Sequence, residues 1–348
     1  MLTIYSDKHH LHHGNTELID GELKPCFEMP SRADIVLARA RSVGLGDVIE
    51  PHSFGLEPVL SIHRRDFVEF LSTAWNQWTA AGRTHDALPL VWPVRGLRND
   101  RIPQDIDGKL GYYSMDAGVP IQQGTWEAVQ ASANVALTGA RQLMAGRGAV
   151  FSLCRPPGHH AAADYMGGYC YLNNAAIAAQ YLRNQGMSKV AILDVDYHHG
   201  NGTQSIFYAR NDVWFGSIHA DPAVEYPYFL GYADEKGIDA GLGYNHNYPL
   251  PHGTHWNRYA EALEDACTRV ASYVPDALIV SLGVDTFEED PISQFKLRND
   301  DYLRLGERIG ALQIPTLFVM EGGYAVDDIG VNAVNVLSGF ESRYRGTI

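Results

Sequence analysis

In the stretch "AILDVDYHHGNGTQ", Ala191 to Gln204, two aspartates and two histidines fall within six residues, directly after an apolar run. Ionisable groups placed against an apolar strand are costly unless a cation or a strong hydrogen-bond partner meets them, so a metal is the first candidate. Asp194, Asp196 and His198 recur at every second position, and on an extended segment such side chains point to one side. Asp285, in "SLGVDTF", arrives from another predicted strand. Asp196, His198 and Asp285 together offer a divalent ion one nitrogen and two carboxylate oxygens, with a position left for water. That composition suits a catalytic site better than a closed structural one. The alternative is a hydrogen-bonded polar network without metal.

Two further segments carry reactive groups. "PPGHH" supplies His159 and His160, which can exchange protons near neutrality, and Asp194 and Asn201 are available to fix their tautomers. Such a pair suggests acid/base work. "EGGY" places Tyr324 behind two glycines, where a phenol can reach a developing oxyanion. A lone tyrosine there would be read as ordinary packing.

These groups need a scaffold, and the pattern supplies one. Short β-branched runs, "AVFSL", "KVAILDV", "VWFGSIH", "ALIVSLG" and "PTLFVM", alternate with longer helical patterns. This is the signature of a parallel sheet. Each run is followed by a reactive cluster, and in open α/β sheets ligands bind at that carboxyl edge. Apolar residues from Val129 to Met144 and from Trp256 to Val270 repeat at helical spacing and predict crossover helices. Residues 84–124 differ: they are rich in Pro, Gly and charge and show no sustained period. A loop of that length is usually functional or an interface element. The whole chain, 1–348, is read as one domain, since no repeat or linker interrupts it.

The 348 residues include 45% hydrophobic types, enough for a large α/β core, and carry a formal net charge of −14. That charge argues against broad binding to nucleic acid or anionic membrane and favours cationic ligands. Cys26, Cys154, Cys170 and Cys267 form no CxxC pair, so neither a disulfide framework nor a thiolate zinc site is expected. The start, "MLTIYSDKHH", has no basic-then-apolar leader, and no run approaches the roughly 18 apolar residues of a membrane span. A reducing, cytoplasmic setting is the expectation.

In order, and covering nearly the whole chain, "RPPGHHA", "DVDYHHGNGTQ", "SLGVDTF" and "MEGGY" resemble the arginase/deacetylase superfamily, specifically its zinc-dependent histone deacetylase-like amidohydrolases. The asparagine of "HHGNG" is similar to the class II side of that family. "TELIDGELKPCFEMPSRA" is similar to the bacterial acetylpolyamine amidohydrolases. The resemblance implies a three-layer α/β fold, an open and mostly parallel sheet with helices on both faces. It implies hydrolysis of the acetamide bond of acetylated polyamines or diamines, small cationic amines being the partners. Residue by residue, it implies zinc or ferrous ligands at Asp196, His198 and Asp285. It makes His160 the general base and acid, His159 its electrostatic companion paired with Asp194, and Tyr324 the oxyanion donor. A structural potassium site falls on Asp194, Asp196, His198, Ser217 and Ile218. Tyr169 and Tyr226 match the aromatic tunnel walls, and Glu17 matches an acidic residue at the mouth, while Asp107 and Asp116 fall only near other acidic positions. The 84–124 stretch looks equivalent to a connection that builds a homodimer and narrows the active-site rim.

Other readings remain open. A binuclear manganese ureohydrolase would want a carboxylate two positions after Asp285, where Phe287 sits. A protein acetyl-lysine deacetylase shares all of this chemistry. A catalytically silent metal-binding or interaction protein is disfavoured by the retention of Tyr324, His159 and His160. "HHLHH", His9 to His13, reads as a surface loop with adventitious metal affinity, because no acidic ligand completes it at a recognisable spacing. "EED", Glu288 to Asp290, reads as a solvated loop or a source of negative potential.

Overall fold

The computed structural model describes residues 1–19 and 21–346, and among these the chain forms ten strands. They are β1 (Leu2–Ile4), β2 (Glu17–Ile19), β3 (Glu22–Lys24), β4 (Val48–Ile49), β5 (Ala149–Ser152), β6 (Val190–Asp194), β7 (Val213–Ala220), β8 (Asn245–Leu250), β9 (Ala277–Leu282) and β10 (Thr316–Met320). β2 and β3 pair as a small antiparallel hairpin. The other eight form one sheet in the order β4-β1-β5-β10-β9-β6-β7-β8, and every pairing in it is parallel. The five runs read as strands from sequence are its centre.

Alternate side chains of these strands enter opposite layers, as the pleat requires. Phe151, Leu193, Val280 and Phe318 pack with the helices Ser31–Ser42, Trp256–Tyr273, Asn299–Gly310 and Ile329–Arg343. Val150, Ile192, Ile279 and Val319 pack with Thr125–Met144 and Asn174–Asn184 on the other side. Both faces are therefore dry, and each fully buried Leu, Ile or Phe contributes about 1.5–3 kcal/mol. Cys26, Cys154, Cys170 and Cys267 are free and buried.

The topology fixes where a site can form. From β6 the chain moves outward through β7 to β8, whereas from β9 it moves the opposite way through β10. The direction of winding reverses between β6 and β9, which are neighbours. Ligands bind outside the carboxyl ends of strands at such a reversal. Asp194 ends β6, and Asp285 follows β9 by three residues.

The 84–124 segment is mostly irregular, with one short helix, Ile106–Tyr112, capped by the Asp105 carboxylate accepting the Asp107 amide. It exposes Leu90, Val91, Val94 and Leu97 and then returns to the domain at Ser114, which bridges to Met166.

A buried ion network joins the N-terminal segment to the sheet edge. Glu28 accepts two hydrogen bonds from Arg155 and one from Arg32, at 2.8–2.9 Å. Arg155 also donates to the carbonyls of His9 and His12, and Arg32 to those of Glu321 and Gly323. The histidine run is thus corrected: His9 and His12 are buried, in a 3-10 turn anchored by its carbonyls, and Asp34, from the helix after it, reaches His10 at 3.0 Å. Burial alone would raise the pKa of Glu28, but Arg155 and then Arg32 outweigh it and bring it down to about 2, below an ordinary 4.5. A carboxyl lowered on folding stabilises the protein fully above its unfolded pKa and loses that contribution as pH falls toward the folded one. Glu28→Gln should cost about 3–5 kcal/mol in urea unfolding at neutral pH, because it breaks a buried ion network. Between pH 4.5 and 2 the variant should also lose stability less steeply than wild type; parallel slopes would refute the assignment.

Candidate active site

A cavity of about 460 Å³ opens over the carboxyl ends of the central strands, lined in part by Glu17, Asp116, His160, Tyr169, His198, Tyr226 and Tyr324. Against it, Asp196, His198 and Asp285 place ligand atoms all within 4.8 Å of one another. His198 Nδ1 lies 3.2 Å from Asp285 Oδ2 and 3.4 Å from Asp196 Oδ1. Backbone donors fix both carboxylates: Asp196 accepts the amides of His198 and Gly322, each at 2.9 Å, and Asp285 accepts that of Tyr197 at 2.8 Å. The Gly322 approach requires glycine, since a Cβ there would meet Asp285 Oδ2 at 2.5 Å and Asp196 Oδ2 at 2.6 Å.

Two carboxylates this close, both fully buried, repel each other. Burial and then the Asp196 charge push Asp285 up to about 8. Burial would depress His198, but its bonds to Asp196 and Asp285 outweigh that and raise it to about 10. The three side chains together demand positive charge. One imidazole nitrogen and two carboxylate oxygens are a donor set that fits a divalent ion.

The two histidines beside this trio are set apart by their partners. His159 Nδ1 lies 3.0 Å from Asp194 Oδ2, and His160 Nδ1 lies 2.6 Å from Asn201 Oδ1, with the rings 4.0 Å apart. Burial lowers the His159 pKa, yet the Asp196 and Asp194 charges overcome it and raise it to about 10. Burial, followed by the His159 and His198 charges, holds His160 well below its usual value. The surroundings therefore favour the protonated form of His159 and the neutral form of His160.

Tyr324 completes the wall. Its ring lies 5.6 Å from that of Tyr169, with the Arg32 guanidinium 4.7 Å from its centroid. Burial raises its phenol well above 10, so the hydroxyl stays a donor. Tyr226 faces both His160 and His198, at centroid distances of 5.1 and 5.8 Å. Glu17 is buried at the cavity edge, where its carboxylate accepts the Phe27 amide at 2.7 Å and pairs with the Tyr169 hydroxyl. Ser217, on β7, is the register partner of Asp194, and its hydroxyl meets His219 at 2.9 Å; Ile218 follows it, fully buried. Asp107 is not in the cavity: it pairs with Arg83 on the outer surface of the 84–124 segment.

Several supporting residues were not read from sequence. Asp290 is a correction, because it is buried, and its carboxylate accepts the Tyr324 amide at 2.7 Å. Glu321 accepts the amides of Gly158 and His159 at 2.6 and 3.2 Å, holding the histidine turn from beneath. Asp116 bonds Tyr226. An acidic residue in a loop carries no local sign of burial; only the "EGGY" spacing hinted that Glu321 serves the site.

A fully parallel α/β sheet carries an Asp/His/Asp trio suited to a divalent ion, with a histidine pair beside it, at its winding reversal, as a metal-dependent hydrolase would require. The chain belongs to the histone deacetylase domain family, whose model matches residues 26–340. It is 64% identical over 345 residues to acetylpolyamine amidohydrolase 2 of Pseudomonas aeruginosa, covering 99% of this chain and 100% of that one. It is 52% identical over 339 residues to the acetylpolyamine amidohydrolase of Mycoplana ramosa, covering 97% and 99%. The crystal structure of an acetylpolyamine aminohydrolase from Burkholderia pseudomallei superimposes with a TM-score of 0.94 at 40% identity, covering 99% and 100%. The family implies a divalent metal site.

Asp285→Ala removes one of three ligands and should abolish tight binding of a divalent ion, read by metal analysis after gel filtration. A variant that keeps a full equivalent of ion would overturn the assignment of the trio.

Proposed function

We infer that this chain hydrolyses the acetamide bond of acetylated polyamines and diamines, releasing acetate and the free amine. It is a hydrolase acting on amides. The observation that carries the reading is the Asp196/His198/Asp285 trio with His159 bonded to Asp194 and His160 bonded to Asn201 beside it, in a cavity lined in part by Glu17. Asp196, His198 and Asp285 would hold zinc, or ferrous iron, which supplies a Lewis acid for the carbonyl and lowers the pKa of water.

The chain's own groups do the proton work. Asn201 Oδ1 accepts from His160 Nδ1–H, leaving Nε2 as the base that takes a proton from the attacking water. His159 stays an imidazolium against Asp194 and keeps its neighbour neutral until that transfer. Tyr324 donates its hydroxyl proton as a hydrogen bond to the oxygen that gains charge in the tetrahedral state. His160 then returns its proton to the departing amine nitrogen, and the C–N bond breaks. Asp194, Asp196, His198, Ser217 and Ile218 would hold a structural potassium ion through backbone or side-chain oxygens. The exposed Leu90, Val91, Val94 and Leu97 of the 84–124 segment suit a homodimer contact. Among the described residues no helix is long and apolar enough to cross a membrane.

Removing one oxyanion donor costs on the order of a hundred- to a thousandfold in turnover, so Tyr324→Phe should keep its metal and slow by that factor. Loss of less than about twofold would place the phenol outside the reaction.

The charge argument makes a second forecast. N-acetylputrescine or N-acetylcadaverine should show a higher kcat/KM than an uncharged N-alkyl acetamide of similar length, and Glu17→Gln and added salt should each narrow the gap. Equal efficiency would refute cation selectivity. A clear advantage for an acetyl-lysine peptide would point instead to a protein deacetylase.

A further inference from the structure

The turn Asp116–Gly118 closes the 84–124 segment and grips both aromatic sides of the cavity. Asp116 Oδ2 accepts the Tyr226 hydroxyl at 2.5 Å and the Gly168 amide at 2.9 Å, while Oδ1 accepts the Gly118 amide at 2.8 Å. The Gly118 carbonyl then accepts the amide of Tyr169 at 2.9 Å. Consecutive amides of the turn that carries one wall are thus held by a single loop, and the other wall is tied to the same carboxylate.

The geometry needs that grip. Tyr169 has φ of 66°, a left-handed conformation that a bulky residue keeps only where its surroundings fix it. There is no slack behind it, since a Cβ on Gly168 would meet His160 Cδ2 at 2.3 Å and the Tyr226 hydroxyl oxygen at 2.8 Å.

We propose that Asp116 is a positioning residue that sets the width of the tunnel between Tyr169 and Tyr226, and so selects acetamides of unbranched primary amines. This rests on the reading of the cavity as a site for acetylated amines. With three donors from the walls and the turn on its two oxygens, Asp116 acts on substrate through the walls, and the charge selectivity of Asp116→Asn distinguishes this from direct contact with an ammonium group.

The test uses the metal-loaded protein and two acetamides: N-acetylcadaverine, and its analogue with a methyl branch on the carbon next to the amide nitrogen. Wild type should prefer the linear compound. Asp116→Ala frees both walls and should lower kcat/KM for the linear compound about tenfold while the branched one changes little, because misplacement by an ångström costs orders of magnitude in rate. Asp116→Asn can still accept both wall donors on one oxygen but sets its NH2 against the Gly118 amide, so it should lower the linear-to-branched ratio less than Asp116→Ala does, although its charge is gone. Tyr226→Phe releases one wall and should fall between the two.

Equal losses on both substrates in Asp116→Ala would overturn the proposal. So would an Asp116→Asn variant that loses charged acetamides selectively over a neutral linear one, which would mark a direct charge contact. Hydrogen exchange over residues 165–171 reads the grip without turnover: it should accelerate in Asp116→Ala and less in Asp116→Asn, and unchanged exchange in Asp116→Ala refutes the brace. If wild type hydrolyses neither acetamide, the functional reading fails, while the exchange measurement still decides the brace.

Discussion

Two carboxylates withdrawn from water at the junction of β6 and β9 set the terms for everything around them. Asp196 and Asp285 cannot both stay ionised in a dry interior without positive charge, and the fold brings it from several directions. His198 stands between them, His159 sits 3.8 Å from Asp196, and three backbone amides from two loops point at their oxygens. The contributions come from the ends of β5, β6 and β10, which a parallel sheet with its carboxyl ends along one edge brings together. The glycine at 322 and the reversal of winding serve the same demand. One lets a main chain approach a carboxylate, and the other opens room above it.

Charge also sorts the two histidines. They are adjacent in sequence and equally buried, yet one faces a carboxylate and the other an amide oxygen. The Asp196 and Asp194 charges favour the protonated form of the first, and burial with the neighbouring His159 and His198 charges favours the neutral form of the second. Neither ring would be suited to its task in the other's place.

How much of this could be read beforehand depended on whether a residue announced itself locally. The five central strands were legible because both faces are covered, so that each reads as a continuous apolar run. β1 and β4 were not, being three and two residues long, and β8, "NHNYPL", is an edge strand whose polar residues and proline obscure it. Asp196, His198 and Asp285 were legible because acid and imidazole at strand ends are conspicuous. Asp290 reads as part of a solvated loop and Asp116 falls only near other acidic positions, because the acceptor role of each comes from distant backbone: Tyr324 for one, Gly168 for the other. Glu28 and Arg155 are 127 residues apart, so their pairing leaves no periodic trace. His9 and His12 read as surface for the same reason, since the arginine that binds their carbonyls comes from another part of the chain.

The four cysteines give this molecule a built-in clock. Only a thiolate reacts quickly with alkylating reagents, and burial pushes Cys170 well above its usual pKa and Cys267 up to about 12, so the folded protein is inert to them. Labelling must wait for a local opening, and its rate counts openings. Cys170 directly follows Tyr169 in the cavity wall, whereas Cys267 lies in the helix Trp256–Tyr273, packed on one face of the sheet. Alkylation resolved by site therefore compares the breathing of the catalytic rim with that of the scaffold in a single tube, with no probe added to either.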